Sequence, residues 1–203
     1  MKIGIINYGS GNITSIQNAL EHKNKINSEL VSDPDILQKY DKLILPGVGA
    51  FHPAMQQIKN KSLDIALLEY IKSGKYLLGI CLGMQLLSTK SYEHGELNGL
   101  NLIEGEVKAF DDLNANIRTP HMGWNSIDFK ENKLLNGIDN LSDLYFIHSY
   151  YYQTKNIQHT ISTTSYGTDF SSIIQKDNIF GVQFHPEKSQ ENGLKILKNF
   201  LEL

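Results

Sequence analysis

One cysteine, Cys81, in 203 residues excludes an internal disulfide, and a lone thiol fits a reducing compartment. A surplus of either charge is also lacking. Nineteen basic against twenty-two acidic side chains leave a formal −3, too little to mark a surface for nucleic acid or anionic lipid. No apolar run approaches the roughly 18 residues that cross a bilayer. The opening Met1-Lys2-Ile3-Gly4-Ile5-Ile6-Asn7 has neither the long apolar stretch nor the small-residue cleavage site of a signal peptide. These absences predict a cytoplasmic chain with no nucleic-acid or membrane partner. His22, His52, His94 and His159 are scattered, so no metal-ligand spacing emerges, and no cofactor is implied. Gly9-Ser10-Gly11 resembles a phosphate loop in composition only, since it lacks the Lys-Ser/Thr ending.

What is present is core material. Hydrophobic residues make up 40% of the chain and charged ones 20%, which excludes a disordered chain and suits one domain spanning 1–203. In the first half, strand-like runs alternate with helical patterns. Ile3–Asn7 reads as a strand buried on both faces, and a turn follows at Gly9-Ser10-Gly11-Asn12. A helix face carries Ile16, Ala19, Leu20 and Lys23. Lys42–Leu45 and Tyr76–Ile80 are further apolar strands, separated by an amphipathic helix through Leu63, Ala66, Leu67, Tyr70 and Ile71 that stops at Gly74. Such alternation predicts βαβ units around a mostly parallel sheet covered on both faces.

Between Thr89 and Gln175 the helical period fades. Short β-prone pieces at Leu102-Ile103, Val107–Phe110, Leu144–Ile147, Ile161–Thr164 and Ser172–Gln175 predict a small antiparallel extension with long site-building loops. A buried strand at Ile179–Phe184 and a closing helix through Leu194, Leu197, Lys198 and Leu201 complete the chain. The expected fold class is a three-layer α/β domain.

Gly79-Ile80-Cys81-Leu82-Gly83 stands between the strand Tyr76–Ile80 and an apolar helical stretch, Leu82–Leu87. It is the thiol counterpart of the G-x-S-x-G nucleophile elbow. A sharp strand-to-helix turn strains the central residue and leaves no room for side chains beside it. The turn lifts the sulfur, exposed, to the carboxyl edge of the sheet and favours its thiolate form.

A nucleophilic thiol needs an imidazole, and the imidazole needs a carboxylate to fix its tautomer. Gly181-Val182-Gln183-Phe184-His185-Pro186-Glu187 supplies both at the end of an apolar strand. In an extended segment His185 and Glu187 would point the same way, with Pro186 denying the backbone a helix. Pro46-Gly47-Val48-Gly49 also ends a strand. An oxyanion hole takes one N–H from the residue after the nucleophile, Leu82, and another from a neighbouring strand loop, here Val48 or Gly49. His121 and His148 have no catalytic role in this reading; local hydrogen bonds satisfy them.

Together these motifs resemble the class I (triad) glutamine amidotransferase family. Asn7-Tyr8-Gly9-Ser10-Gly11-Asn12, Pro120-His121-Met122-Gly123-Trp124-Asn125, His148-Ser149-Tyr150 and Pro186-Glu187-Lys188-Ser189 are similar to the glutaminase subunits of imidazole glycerol phosphate synthases. The resemblance spans essentially the whole chain. It implies hydrolysis of L-glutamine to glutamate by Cys81, His185 and Glu187, with the ammonia passed to a (β/α)8-barrel cyclase subunit in a heterodimer. It further implies that Gln85, Ser149 and Tyr150 hold the glutamine with Gly49 lining the pocket, and that Asn12, Trp124, Tyr145 and Lys188 lie at the partner interface or gate. Two stretches depart from the family pattern, Arg118-Thr119-Pro120 and Thr89–Asn98. They leave room for a paralogue that feeds ammonia to a surface-sugar pathway. Other readings of the same residues are a stand-alone γ-glutamyl hydrolase, a cysteine peptidase and a catalytically idle binding module.

Overall fold

The computed structural model describes every residue except Ser10, Gly11, Asn24 and residues 114–116, and it leaves the side chains of His22 and Lys23 undescribed. The centre of the expected turn at Gly9–Asn12 and the Lys23 position of the helix face therefore lie outside the described residues.

In chain order the strands are β1 (Ile3–Ile6), β2 (Ser28–Val31), β3 (Lys42–Leu45), β4 (Tyr76–Ile80), β5 (Lys90–Ser91), β6 (Leu97–Asn98) and β7 (Gly105–Ala109). They continue as β8 (His121–Ser126), β9 (Asp128–Phe129), β10 (Asp143–His148), β11 (Tyr150–Thr154), β12 (Thr160–Ser165), β13 (Asp169–Lys176) and β14 (Ile179–Val182). The α-helices are α1 (Ile13–Asn18), α2 (Phe51–Asn60), α3 (Leu63–Lys72), α4 (Leu82–Leu86) and α5 (Gln190–Glu202).

Eight strands form the central sheet in the order β2-β1-β3-β4-β14-β13-β12-β9. The first five are mutually parallel, and β13, β12 and β9 extend the sheet antiparallel. A β10-β8 ribbon and a β11-β7-β5-β6 sheet carry the rest. β1 is apolar throughout because neither face meets water. Ile3 and Ile5 pack with Ile16, Leu20, Ile196 and Phe200, while Ile6 packs with Leu45, Phe51, Met55 and Leu67 on the opposite face. Each such buried side chain contributes about 1.5–3 kcal/mol.

The C-terminal helix α5 is tied down from beneath. The buried Lys42 ammonium donates to the carbonyls of Phe200 and Leu201, both at 2.8 Å, where the last turn leaves its acceptors unpaired. Burial lowers the pKa of Lys42, against the pull of Asp41 and Glu202.

The structure departs from the sequence expectations at several elements, and strands β5, β6, β8, β9 and β11 match none of the expected pieces. Leu102-Ile103 is a buried bend rather than a strand, its amides held by the Leu87 carbonyl. The helix starting at Ile13 passes into a π-turn over Ala19–Lys23. Helix α2 goes unpredicted because Pro53 interrupts its pattern, yet in the first turn proline removes no hydrogen bond. Strand β2 goes unpredicted because its Ser-Glu-Leu-Val sequence is half-exposed at the sheet edge.

What the sheet order achieves is convergence. β1, β3, β4 and β14 are successive parallel neighbours, so the segments leaving their carboxyl ends (Asn7-Tyr8, Pro46–Gly49, Cys81 and Gln183–His185) gather along one edge.

Candidate active site

Cys81 sits at the elbow with φ 53° and ψ −111°, a conformation side chains rarely adopt, and α4 begins at the next residue. Its amide donates to the Val182 carbonyl at 2.8 Å, and its carbonyl accepts from Gln85 N–H at 3.2 Å. A Cβ on Gly79 would stand 2.7 Å from the Gly83 carbonyl oxygen, so strand and helix can approach only if this position is glycine. The expectation of an exposed sulfur is corrected: Cys81 is only 6% exposed, because β10 covers it and a cavity supplies its access. Its Sγ lies 3.9 Å from the Ile147 carbonyl and 3.8 Å from Gln183 Nε2, which donates to it.

His185 follows β14, a strand paired with β4, so the sheet itself brings it to the elbow. Its Nδ1–H donates to Glu187 Oε1 at 2.8 Å, with both side chains at or below 1% exposure. The segment between them is not extended as expected. Pro186–Lys188 is a 3-10 turn, closed by Lys188 N–H on the His185 carbonyl at 3.0 Å, and proline's fixed φ suits its first position. The turn, not strand alternation, folds the carboxylate back onto the ring. His185 Nε2 is buried and carries no formed hydrogen bond. Burial disfavours the charged ring, but the Cys81 and Glu187 side chains together outweigh it and hold the imidazole pKa up at about 10. Burial likewise opposes ionisation of Glu187, yet its bonds to His185 and Asn12 keep its carboxyl below the usual range.

A cavity of about 370 Å³ opens beside the sulfur, at the small end of the roughly 300–1,000 Å³ range of ligand pockets. Val48, Gly49 and Leu82 line it, as do Cys81, Gln85, Ser149, Tyr150 and His185, so the sequence-derived thiol, imidazole, oxyanion and glutamine-holding residues meet in one place, with Glu187 behind His185 rather than at the cavity wall. Gly49 has φ 94°, in the region that favours glycine. A larger cleft of about 1010 Å³ lies beside α5, but neither a thiol nor an imidazole lines it.

Gln85 Nε2 donates both to the Tyr150 carbonyl at 2.9 Å and to Gln183 Oε1 at 3.0 Å. With both amide protons committed, the group Gln85 has left to offer is its Oε1, an acceptor. Sequence reasoning missed Gln183, whose signal is a polar residue inside an apolar strand end, 0% exposed. It also missed Glu93, a cavity-lining carboxylate whose Oε2 accepts from Phe51 N–H at 2.6 Å. Glu93 lies in the Thr89–Asn98 stretch that departs from the family pattern.

The four residues assigned to an interface separate into two groups. Asn12 is half-buried and its Nδ2 donates to Glu187 Oε1 at 2.5 Å, so in this structure it braces the triad. Trp124 is 47% exposed and meets Tyr145 edge-on at 6.0 Å, and the exposed Lys188 ammonium stands 5.8 Å from the Tyr145 ring. These three form one cluster over the His-Pro-Glu turn, to which Tyr145 is joined by its carbonyl, accepting from His185 N–H at 2.9 Å.

A family model described as glutamine amidotransferase class-I matches residues 4–203. The chain belongs to this family. Among related amidotransferases, it is 48% identical over 218 residues to the imidazole glycerol phosphate synthase subunit HisH of Helicobacter hepaticus, covering 100% of this chain and 99% of the relative. It is 48% identical over 202 residues to the HisH subunit of Sulfurimonas denitrificans, covering 98% and 96%. The fold resembles the structure of PurLQS from Thermotoga maritima with a TM-score of 0.78 at 19% identity, over 99% of this chain and 97% of that one. As a class I amidotransferase, the chain carries the expected α/β architecture.

Proposed function

We propose that this chain is the glutaminase subunit of an imidazole glycerol phosphate synthase, forming a heterodimer with a (β/α)8-barrel cyclase subunit in histidine biosynthesis. The observation that carries the reading is the buried Nδ1–Oε1 bond of 2.8 Å between His185 and Glu187, with the free Nε2 on the side of the only thiol. Relatives named HisH at 48% identity over nearly their whole length support the pathway.

In this reading the Cys81 sulfur attacks the side-chain amide carbon of glutamine. The oxyanion that forms is held by the Leu82 amide and by an amide at Val48 or Gly49. His185, carrying its proton, gives it to the amide nitrogen as the carbon–nitrogen bond breaks, and ammonia leaves. Water then attacks the γ-glutamyl thioester and passes a proton to His185. The carbon–sulfur bond breaks, releasing glutamate. Glu187 keeps the imidazole in the tautomer with Nε2 facing the sulfur and stabilises the imidazolium. Gln85 Oε1 and the Glu93 carboxylate suit the α-ammonium of an amino acid, while Ser149 and Tyr150 close the cavity wall.

Ammonia that escapes into neutral water takes up a proton and ceases to be a nucleophile, so this chemistry favours a site sealed by its consumer. Met122, Trp124 and Ile147 are exposed apolar residues on the adjacent β8 and β10, which suits a docking face there. Among the described residues no helix is long and apolar enough to cross a membrane. The reading places the chain in the cytoplasm as one glutaminase domain over residues 1–203. The test is glutamate release from glutamine by the chain alone and with the cyclase subunit. Activity that rises with the cyclase supports the proposal; vigorous partner-independent hydrolysis of γ-glutamyl peptides contradicts it.

A further inference from the structure

Two buried histidines that the mechanism does not use, His121 on β8 and His148 on β10, are bonded to one another, Nδ1 to Nε2, at 2.9 Å. The outer groups fix which nitrogen donates. His148 Nδ1 lies 2.8 Å from the Tyr150 carbonyl, which only accepts, so Nδ1 carries the proton and Nε2 is an acceptor. His121 Nδ1 must then donate to it, which leaves His121 Nε2 to accept from Asn125 Nδ2 at 3.1 Å. Both rings are neutral in this arrangement, and burial agrees, lowering His121 to about 4 and His148 to about 3.

The pair is not isolated packing. The Tyr150 carbonyl takes its second hydrogen bond from Gln85 Nε2, Gln85 donates onward to Gln183, and Gln183 donates to the Cys81 sulfur. Donors thus reach the Tyr150 oxygen from two sides, and that oxygen dictates which end of the Gln85 amide faces inward. Resting on the glutaminase reading of the same cavity, we propose that His121 and His148 are positioning residues that lock the Gln85 and Gln183 amides in the orientation that holds glutamine and orders the nucleophile. With the pair broken, His148 Nε2 loses its donor and the tautomer that gives Nδ1–H to the Tyr150 carbonyl is no longer fixed, so Gln85 is free to turn its Nε2 toward the cavity, where it would face an ammonium.

The test uses His121→Phe and His121→Asn in the complex with the cyclase subunit. Phenylalanine keeps the ring stack on Phe146 and Tyr166, at 4.9 and 4.1 Å, but cannot donate; asparagine offers an amide N–H near the Nδ1 position. His121→Phe is expected to raise KM for glutamine about tenfold or more, with kcat falling less, and His121→Asn to recover most of that loss. Unchanged KM in His121→Phe, or equal losses in both variants, overturns the inference while wild-type turnover leaves the glutaminase reading standing. Should His121→Phe fail to fold, nitrogen NMR of the wild-type imidazoles at neutral pH decides: both rings as the Nδ1–H tautomer supports the inference, and an Nε2–H tautomer at His148 overturns it.

Discussion

Asn12 and His185 bind the same oxygen of Glu187: Asn12 Nδ2 at 2.5 Å and His185 Nδ1 at 2.8 Å both donate to Oε1. The 3.4 Å approach of Asn12 to His185 Nδ1 is then a contact between two donors, not a hydrogen bond. The carboxylate is thereby held by a residue that precedes α1, across the sheet edge from the turn that bears it. Asn12→Leu is expected to lower kcat about tenfold with little change in KM, since a bond to a charged group is lost behind the imidazole rather than in the glutamine cavity. Steady-state kinetics of the complex check this. Asn12→Asp, which sets a second negative charge against Glu187, should cost more activity than Asn12→Leu.

The imidazolium of His185 ties stability to pH. In the unfolded chain its pKa is near 6.5 and in the fold it is about 10, so its contribution is complete below about 6.5 and disappears as pH rises through about 10. Glu187 acts in the opposite sense: its depressed carboxyl stabilises the fold above about 4.5, and that contribution is lost as pH falls through the lower folded value. Denaturant unfolding of the wild type between pH 6.5 and 10 should therefore show falling stability. Glu187→Gln removes one of the groups that raise His185 and should flatten that decline.

Gln183 contributes a donor to the sulfur and an acceptor to Gln85 while fully buried. Gln183→Leu leaves a Gln85 proton without its partner, a loss of about 1–3 kcal/mol in unfolding free energy. Thermal or urea denaturation measures that part. Glutamine KM should rise as well, because the freed Gln85 amide no longer has a fixed orientation.

Gly79 tests the elbow itself. Its Cβ position lies within 2.8 Å of backbone atoms of Gly83 and Met84, which cannot swing aside as a side chain would. Gly79→Ala should destabilise the protein by about 1–3 kcal/mol, the usual cost of overpacking, and should displace Cys81 enough to depress turnover. Denaturation and kinetics on the same preparation separate the two effects.

Much of this site was legible because the relevant signals are local. The glycines flanking Cys81, the apolar runs before Cys81 and His185, and the Pro-Gly-Val-Gly turn each mark a strand end, and parallel strands place such ends along one edge. The brace from Asn12 was not legible, since 173 residues separate it from His185 and only the neighbouring of β1, β3, β4 and β14 closes that distance. Glu93 was hidden for a related reason. It rides a short hairpin between β5 and β6 that has no periodic pattern, and its place in the cavity depends on a bond to the first amide of α2. For the coupled histidines the sequence alone implies only local hydrogen bonds. Which groups satisfy them depends on the pairing of β8 with β10, where His121 stands directly opposite His148.

The central claim is that the one thiol of this chain opens the amide of glutamine. The glutamine analogue 6-diazo-5-oxo-norleucine alkylates such a sulfur, so intact-mass and peptide spectrometry of the cyclase complex measure the claim directly. One adduct per chain, on Cys81, with parallel loss of glutamate release and no release by Cys81→Ala, is the expected result. An unmodified Cys81 in the partner-bound protein, or glutamine turnover that survives Cys81→Ala, contradicts it.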